Sequence, residues 1–177
     1  KDHVSLAKMQ KSVMEELKSK TIITYGEKKG TYHNFLKKAQ QDLNKSRKKR
    51  GDYYMGSAIG SGGYGSVYDL KKRGQERASY VIKAFNQKPS TTSLKTIAEE
   101  ITTFKVAPSH PHMVSFYGAL KKRDKSWVLV FEKLQNDLVE VHYIYSILKL
   151  KHFLGPLRAL RSLHRRNLIH RDIKPDN

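Results

Sequence analysis

Apolar residues recur at intervals of three and four along the first twenty positions, so Leu6, Met9, Val13 and Leu17 share one face of a helix expected over 4–20. Lys8, Lys11, Glu15 and Lys18 take polar positions around it. A short β-branched run, Thr21-Ile22-Ile23-Thr24-Tyr25, follows, punctuated by Gly26 and Gly30. A second helical spacing then passes through Phe35, Leu36, Ala39 and Leu43. From Tyr53 the texture changes to strands and turns: strands are expected over 53–60, 65–71 and 79–85, a helix over 96–106, and strands over 114–120 and 126–131. The charged turn Lys121-Lys122-Arg123-Asp124-Lys125 joins the last two. Beyond Asp137 a helical spacing resumes through Leu148, Leu154, Leu157, Leu160 and Leu163 as far as His164. Gly155-Pro156 interrupts it. An interior proline removes a backbone hydrogen bond and clashes with the preceding turn at about 3 kcal/mol, which predicts a kink or a helix restarted at Pro156. No internal repeat is present.

The 177 residues are 38% hydrophobic, enough for a real core rather than a disordered tail. Thirty-five Lys and Arg against sixteen Asp and Glu give a formal charge of +19, which favours attraction to acidic or phosphate-rich partners. The run Lys45-Ser46-Arg47-Lys48-Lys49-Arg50-Gly51 concentrates that charge at a helix end, where cations suit the negative pole of the dipole. Two readings stand for the cluster at 45–50: a solvated helix end, or a nuclear-import or nucleic-acid contact without interleaved aromatic residues to stack on bases. The chain lacks Cys, which excludes disulfides and thiolate metal sites. No apolar run reaches the roughly 18 residues that span a bilayer, and Lys1-Asp2-His3 opens no signal peptide. The expectation is an intracellular, cytoplasmic protein, with the nucleus open through the cluster at 45–50. Lys1 in place of Met, and a chain stopping at Asn177, lead to the further expectation that both ends are truncations.

Gly60-Ser61-Gly62-Gly63-Tyr64-Gly65-Ser66-Val67 has the spacing G-x-G-x-x-G-x-V, whose glycines let backbone fold closely over phosphates. A dinucleotide-binding turn would need a helix next and a carboxylate about 20 residues on. Here Ser66-Val67-Tyr68-Asp69-Leu70 reads as a returning strand, and the next ionic landmark on an apolar strand is Lys83. In Tyr80-Val81-Ile82-Lys83 an ammonium ends an apolar strand, a costly arrangement without a negative partner. Glu100 in Ala98-Glu99-Glu100-Ile101 is the candidate, with Glu99 the alternative because one sequence cannot fix the helical phase. His110-Pro111-His112 offers two histidines without Cys or nearby acids, poor material for a metal site. The chain closes on Leu168-Ile169-His170-Arg171-Asp172-Ile173-Lys174-Pro175-Asp176-Asn177.

Glycine loop, strand lysine, helix glutamate and this terminal loop, in that order, resemble the protein kinase family over residues 53–177. Lys174, two residues after Asp172, is similar to the serine/threonine type. The resemblance implies an α+β fold: an N-lobe of a five-stranded antiparallel sheet plus one helix, followed by the first helices of a truncated helical C-lobe. It divides the chain into a basic helical extension (1–52), an N-lobe with hinge (53–136) and the start of a C-lobe ending in the catalytic loop (137–177). It implies ATP and Mg²⁺ as cofactors and a protein substrate bearing a Ser or Thr hydroxyl. The implied nucleotide contacts are Ile59, Gly60, Ser61, Gly62, Gly63, Tyr64, Gly65, Val67, Val81, Lys83 and Glu100. Phe131 falls at the gatekeeper position, with Glu132 and Leu134 in the hinge. Asp172 would orient the hydroxyl and accept its proton, Lys174 would meet the γ-phosphate, and Asn177 would hold Mg²⁺. Val81 stands where the family usually carries Ala, and 141–146 matches the family poorly. The Asp-Phe-Gly segment, which supplies the main metal-binding carboxylate, is not among the 177 residues, so the chain alone is expected not to turn over. Two other functions stand beside the kinase: a truncated, pseudokinase-like nucleotide-binding or scaffolding module, and a basic nucleic-acid-associated protein.

Overall fold

The computed structural model describes residues 5–26, 29–45, 51–62, 65–85, 91–135, 146–170 and 173. Helix α1 (Leu6–Ser19) starts where the Ser5 hydroxyl accepts the Lys8 N–H at 3.3 Å, and it buries Val13 and Leu17. Strand β1 (Ile22–Thr24) and helix α2 (Lys29–Leu43) complete the N-terminal segment. Strands β2 (Tyr53–Gly62), β3 (Gly65–Lys72) and β4 (Tyr80–Phe85) lead into helix α3 (Thr91–Val106), which begins earlier than the apolar spacing indicates. Strands β5 (Phe116–Lys121) and β6 (Trp127–Glu132) follow, then helix α4 (Ser146–His164).

All five strands expected between 53 and 131 form, and they lie in one antiparallel sheet with a sixth, β1, contributed by the N-terminal segment. The order is β1-β5-β6-β4-β3-β2, with Ile23 opposite Ala119 at the added edge. A bulge at Tyr117 offsets β5 against β6, between the partners Phe116↔Phe131 and Gly118↔Val130.

Alternation along the strands sends side chains to two faces. Leu70, Ile82, Leu120, Val128 and Val130 form one face and pack with Leu36 and Ala39 of α2. Ile23, Ala119, Leu129 and Phe131 lie on the other, where the Phe104 ring of α3 meets Phe131 at 5.0 Å. Helix α1 belongs to the second face as well, since Gln10 Nε2 donates to Glu99 Oε1 at 3.1 Å. The residues set apart in sequence as an extension therefore supply one edge of the sheet and the cover of one face. Asp42 fixes the join between α2 and β2: its buried carboxylate accepts the N–H groups of Asp52 and Tyr53 at 2.9 and 3.0 Å and the Lys45 amine at 2.5 Å.

Two compact units result: Lys1–Phe104 with Phe116–Lys133, and Lys105–Ser115 with Leu134–Asn177. In the second, α4 runs as one helix from Ser146 to His164 with Pro156 inside, so the restart expected at that proline does not occur. Pro156 is itself exposed. A Cβ at Gly155 would come within 2.7 Å of the His112 ring, so a larger residue here would push that ring aside. The His110 ring accepts the His112 backbone N–H through Nδ1 at 3.1 Å, tying both histidines into this turn. The poorly matching stretch 141–146 lies outside the described residues except for Ser146.

Candidate active site

Strands β3, β4 and β6 bring the predicted site residues into two adjacent rows. Val67, Lys83 and Leu129 are cross-strand partners in one row, and Asp69, Val81 and Phe131 in the next. Partners in register share a face, so Val67, Val81, Lys83 and Phe131 all project from the face that carries α3.

Lys83 meets a carboxylate there. Its amine bonds both Glu100 oxygens at 2.7 Å, with the two side chains about three-quarters buried (27% and 23% exposed). The helical phase left open by the sequence is thereby resolved geometrically: Glu100 turns toward β4, while Glu99 turns toward Gln10. The Lys83 amine also lies 5.5 Å from the centre of the Phe85 ring. A charge pair this sheltered keeps the ammonium in one place and at low conformational freedom, ready for an anion.

The glycine-rich turn joins β2 to β3. Gly60 and Gly62 have open space where a Cβ would stand, and their register partners are Val67 and Gly65. Gly65 differs: a Cβ there would come 2.3 Å from the Ala84 carbonyl oxygen, so glycine is what lets β3 close on β4 at this end. Ile59 is half-exposed and Ser61 is exposed, while Val67 and Val81 are partly buried. Gly63 and Tyr64, at the tip, lie outside the described residues. Open backbone at Gly60 and Gly62 of β2, together with a fixed ammonium on β4 just beyond β3, fits a phosphate-bearing ligand such as ATP.

Phe131 is 7% exposed and belongs to an aromatic group with Phe104, 5.0 Å away, and Phe116, 5.1 Å away. Glu132 is partly buried and pairs in register with Tyr80, and Leu134 is exposed and belongs to the second unit. Asp69 and Lys133 carry no signal in the sequence, yet Asp69 is buried on the face of Val81 and accepts from the Lys133 amine at 2.6 Å. Asp172, Lys174 and Asn177 lie outside the described residues. Among the described residues, no group of three or more His, Cys, Asp or Glu could hold a metal ion, and no helix is long and apolar enough to cross a membrane.

A groove of about 680 Å³ between α2 and the end of β5 is lined by Gln40, Asn44, Lys45, Lys121, Lys122 and Arg123, among others. Two of its cations are met within the chain, Lys45 by Asp42 and Lys122 by Asp124 at 3.2 Å. The rest of the basic cluster, 46–50, lies outside the described residues.

The sequence profile of the family described as "Protein kinase domain" matches residues 53–177. The chain is similar to the serine/threonine-protein kinase Nek10 of Mus musculus, 31% identical over an alignment of 145 residues that covers 72% of this chain and 13% of that protein. It is also similar to the MAP kinase-interacting serine/threonine-protein kinase mnk-1 of Caenorhabditis elegans, 32% identical over 139 residues, 71% of this chain and 18% of that protein. A third relative is extracellular signal-regulated kinase 2 of Dictyostelium discoideum, 29% identical over 129 residues, 67% of this chain and 33% of that protein. The chain thus spans at most a third of the length of these relatives.

Proposed function

This chain belongs to the protein kinase family, serine/threonine type, and from that premise we propose that it carries the nucleotide-binding and catalytic-loop portion of an ATP- and Mg²⁺-dependent enzyme that phosphorylates Ser or Thr hydroxyls of proteins. The observation that supports this reading best is the pair of 2.7 Å bonds between Lys83 and Glu100 on the strand and helix beside the glycine turn. ATP supplies the γ-phosphoryl group, and Mg²⁺ neutralises the charge on its oxygens.

On this reading the backbone of Gly60, Ser61, Gly62, Gly63, Tyr64 and Gly65 covers the phosphates, and Lys83, oriented by Glu100, contacts the α- and β-phosphates. Ile59, Val67 and Val81 contribute apolar walls. Phe131 limits the depth of the adenine pocket, and the backbone of Glu132 and Leu134 meets the adenine edge. Asp172 orients the substrate hydroxyl and takes its proton as oxygen bonds to the γ-phosphorus and the bond to the bridging oxygen breaks. Lys174 offsets the charge of the transferred group, and Asn177 serves as a metal ligand. Titration of Mg·ATP into the 177-residue chain tests the nucleotide half of the reading. Lys83→Met should abolish the binding, whereas Asp172→Asn should leave it within twofold of the parent. Nucleotide binding that survives Lys83→Met overturns the proposal.

A further inference from the structure

The N-terminal segment reaches helix α3 by two routes, one polar and one aromatic. Gln10 of α1 donates to Glu99, the residue before the one that holds Lys83. On the other route, Tyr25 follows β1 and its ring stacks on Phe116 at 5.4 Å with the planes 26° apart. Phe116 in turn contacts Phe104 at 5.1 Å, and Phe104 lies four residues, one helical turn, beyond Glu100 on the same helix face. Phe104 and Phe116 both contact Phe131. The sheet sets where Tyr25 sits: β1 pairs with β5 from Ile22↔Leu120 to Thr24↔Gly118, and the Tyr25 N–H donates to the Tyr117 carbonyl at 3.2 Å.

We propose that residues 5–25 act as a built-in brace for α3, with Tyr25 and Gln10 as positioning residues that hold Glu100 in reach of Lys83. The four rings form one contiguous contact, so a shift of the Tyr25 ring is passed to Phe116 and from there to Phe104 without crossing solvent. The two routes grip α3 on either side of Glu100, at Glu99 and at Phe104, which resists rotation of the helix about its axis as well as lift from the sheet. The assignment of Glu100 to phosphate chemistry rests on the kinase reading, whereas the brace itself does not.

Amide hydrogen exchange on the 177-residue chain, without nucleotide, tests the brace. Tyr25→Leu keeps an apolar side chain but removes the ring, and it should raise exchange in 91–106 roughly three- to tenfold while 53–72 stays near the parent value. Tyr25→Phe keeps the ring and should behave as the parent. The rate at which an amine-reactive acyl probe labels Lys83 should rise with Tyr25→Leu and not with Tyr25→Phe. Unchanged exchange in 91–106, or an equal rise in 91–106 and 53–72, overturns the proposal, because the second outcome marks a general loss of stability. Should Tyr25→Leu fail to fold, Gln10→Ala at the exposed end of the brace takes its place. A rise of about twofold confined to 91–106 supports the brace, and none overturns it. An exchange response in a chain that does not bind ATP would sink the kinase reading and leave the brace standing.

Discussion

Asp42 shows how much one side chain of α2 contributes. Burial acts to raise its pKa, but the bonds from Lys45, the Tyr53 N–H and the Asp52 N–H outweigh burial and hold the carboxyl below its ordinary 3.8. A folded-state value below the unfolded one means that the stabilisation is complete above the ordinary carboxylate range and drains away as pH falls through the lowered value. Asp42→Ala leaves two backbone N–H groups and an amine without their acceptor, an expected loss of about 2–4 kcal/mol at pH 7 by denaturant titration. As pH falls below the ordinary 3.8 the gap between parent and variant should shrink. Val81 is the second residue with a predictable effect, since its extra bulk faces the same side as Lys83. Val81→Ala should tighten ATP binding by roughly fivefold, about 1 kcal/mol, read by the same titration that tests Lys83→Met. Lys83 was legible in the sequence because an ammonium closing an apolar strand calls for an anion, and its partner was legible to within one residue of helical phase. Asp42 and Asp69 were not. Each is a lone acid in an amphipathic pattern, and what makes it structural is a remote group: the Tyr53 N–H for one and Lys133 for the other.

At the scale of elements, the strands and α3 could be read from alternation and apolar spacing, but the place of β1 in the sheet could not. Three residues carry no readable period, and the partner strand β5 lies almost a hundred positions away. The signal that would have helped is Gly118. Its φ of +145° is a conformation side chains rarely adopt, and a Cβ there would stand 2.1 Å from the Ile23 carbonyl oxygen. Gly118→Val should therefore detach β1 from the sheet edge. The expected result is faster amide exchange and faster proteolysis around 20–26, with β3 and β4 protected as before. Helix α2 has a different task, covering Leu70, Ile82, Leu120, Val128 and Val130 on one sheet face. A chain that starts at Gly51 would expose this face. It should bind a hydrophobic dye such as anilinonaphthalene sulfonate, and aggregate, more than the full chain. A dye response equal to that of the full chain would mean that α2 is dispensable for the core.

For the whole molecule, the order of motifs announced the family while the division of labour between the segments stayed hidden, because contacts across more than eighty residues, such as Gln10 with Glu99, leave no local pattern. Net charge acts at this scale too: at +19 the chain should be retained by a polyanionic resin at low ionic strength and released as salt shortens the screening length. That retention should be indifferent to Lys83→Met, which separates it from nucleotide binding. Catalysis is the sterner question. Phosphoryl transfer depends on in-line positioning and on metal ions that bridge the phosphate oxygens, and in kinases the Asp-Phe-Gly carboxylate holds those ions. The 177 residues contain no Asp-Phe-Gly sequence, so Asn177 is the one ligand the family pattern assigns within them. On the proposed reading Lys83 would gather the phosphates and Asn177 would hold the metal, but without the Asp-Phe-Gly carboxylate the nucleotide would be bound without being aligned for attack. The 177 residues by themselves should thus bind Mg·ATP and leave it intact, with radiolabelled phosphate transfer to a Ser/Thr peptide library no higher than in Asp172→Asn. Transfer clearly above that variant would show that in-line alignment does not depend on the Asp-Phe-Gly carboxylate.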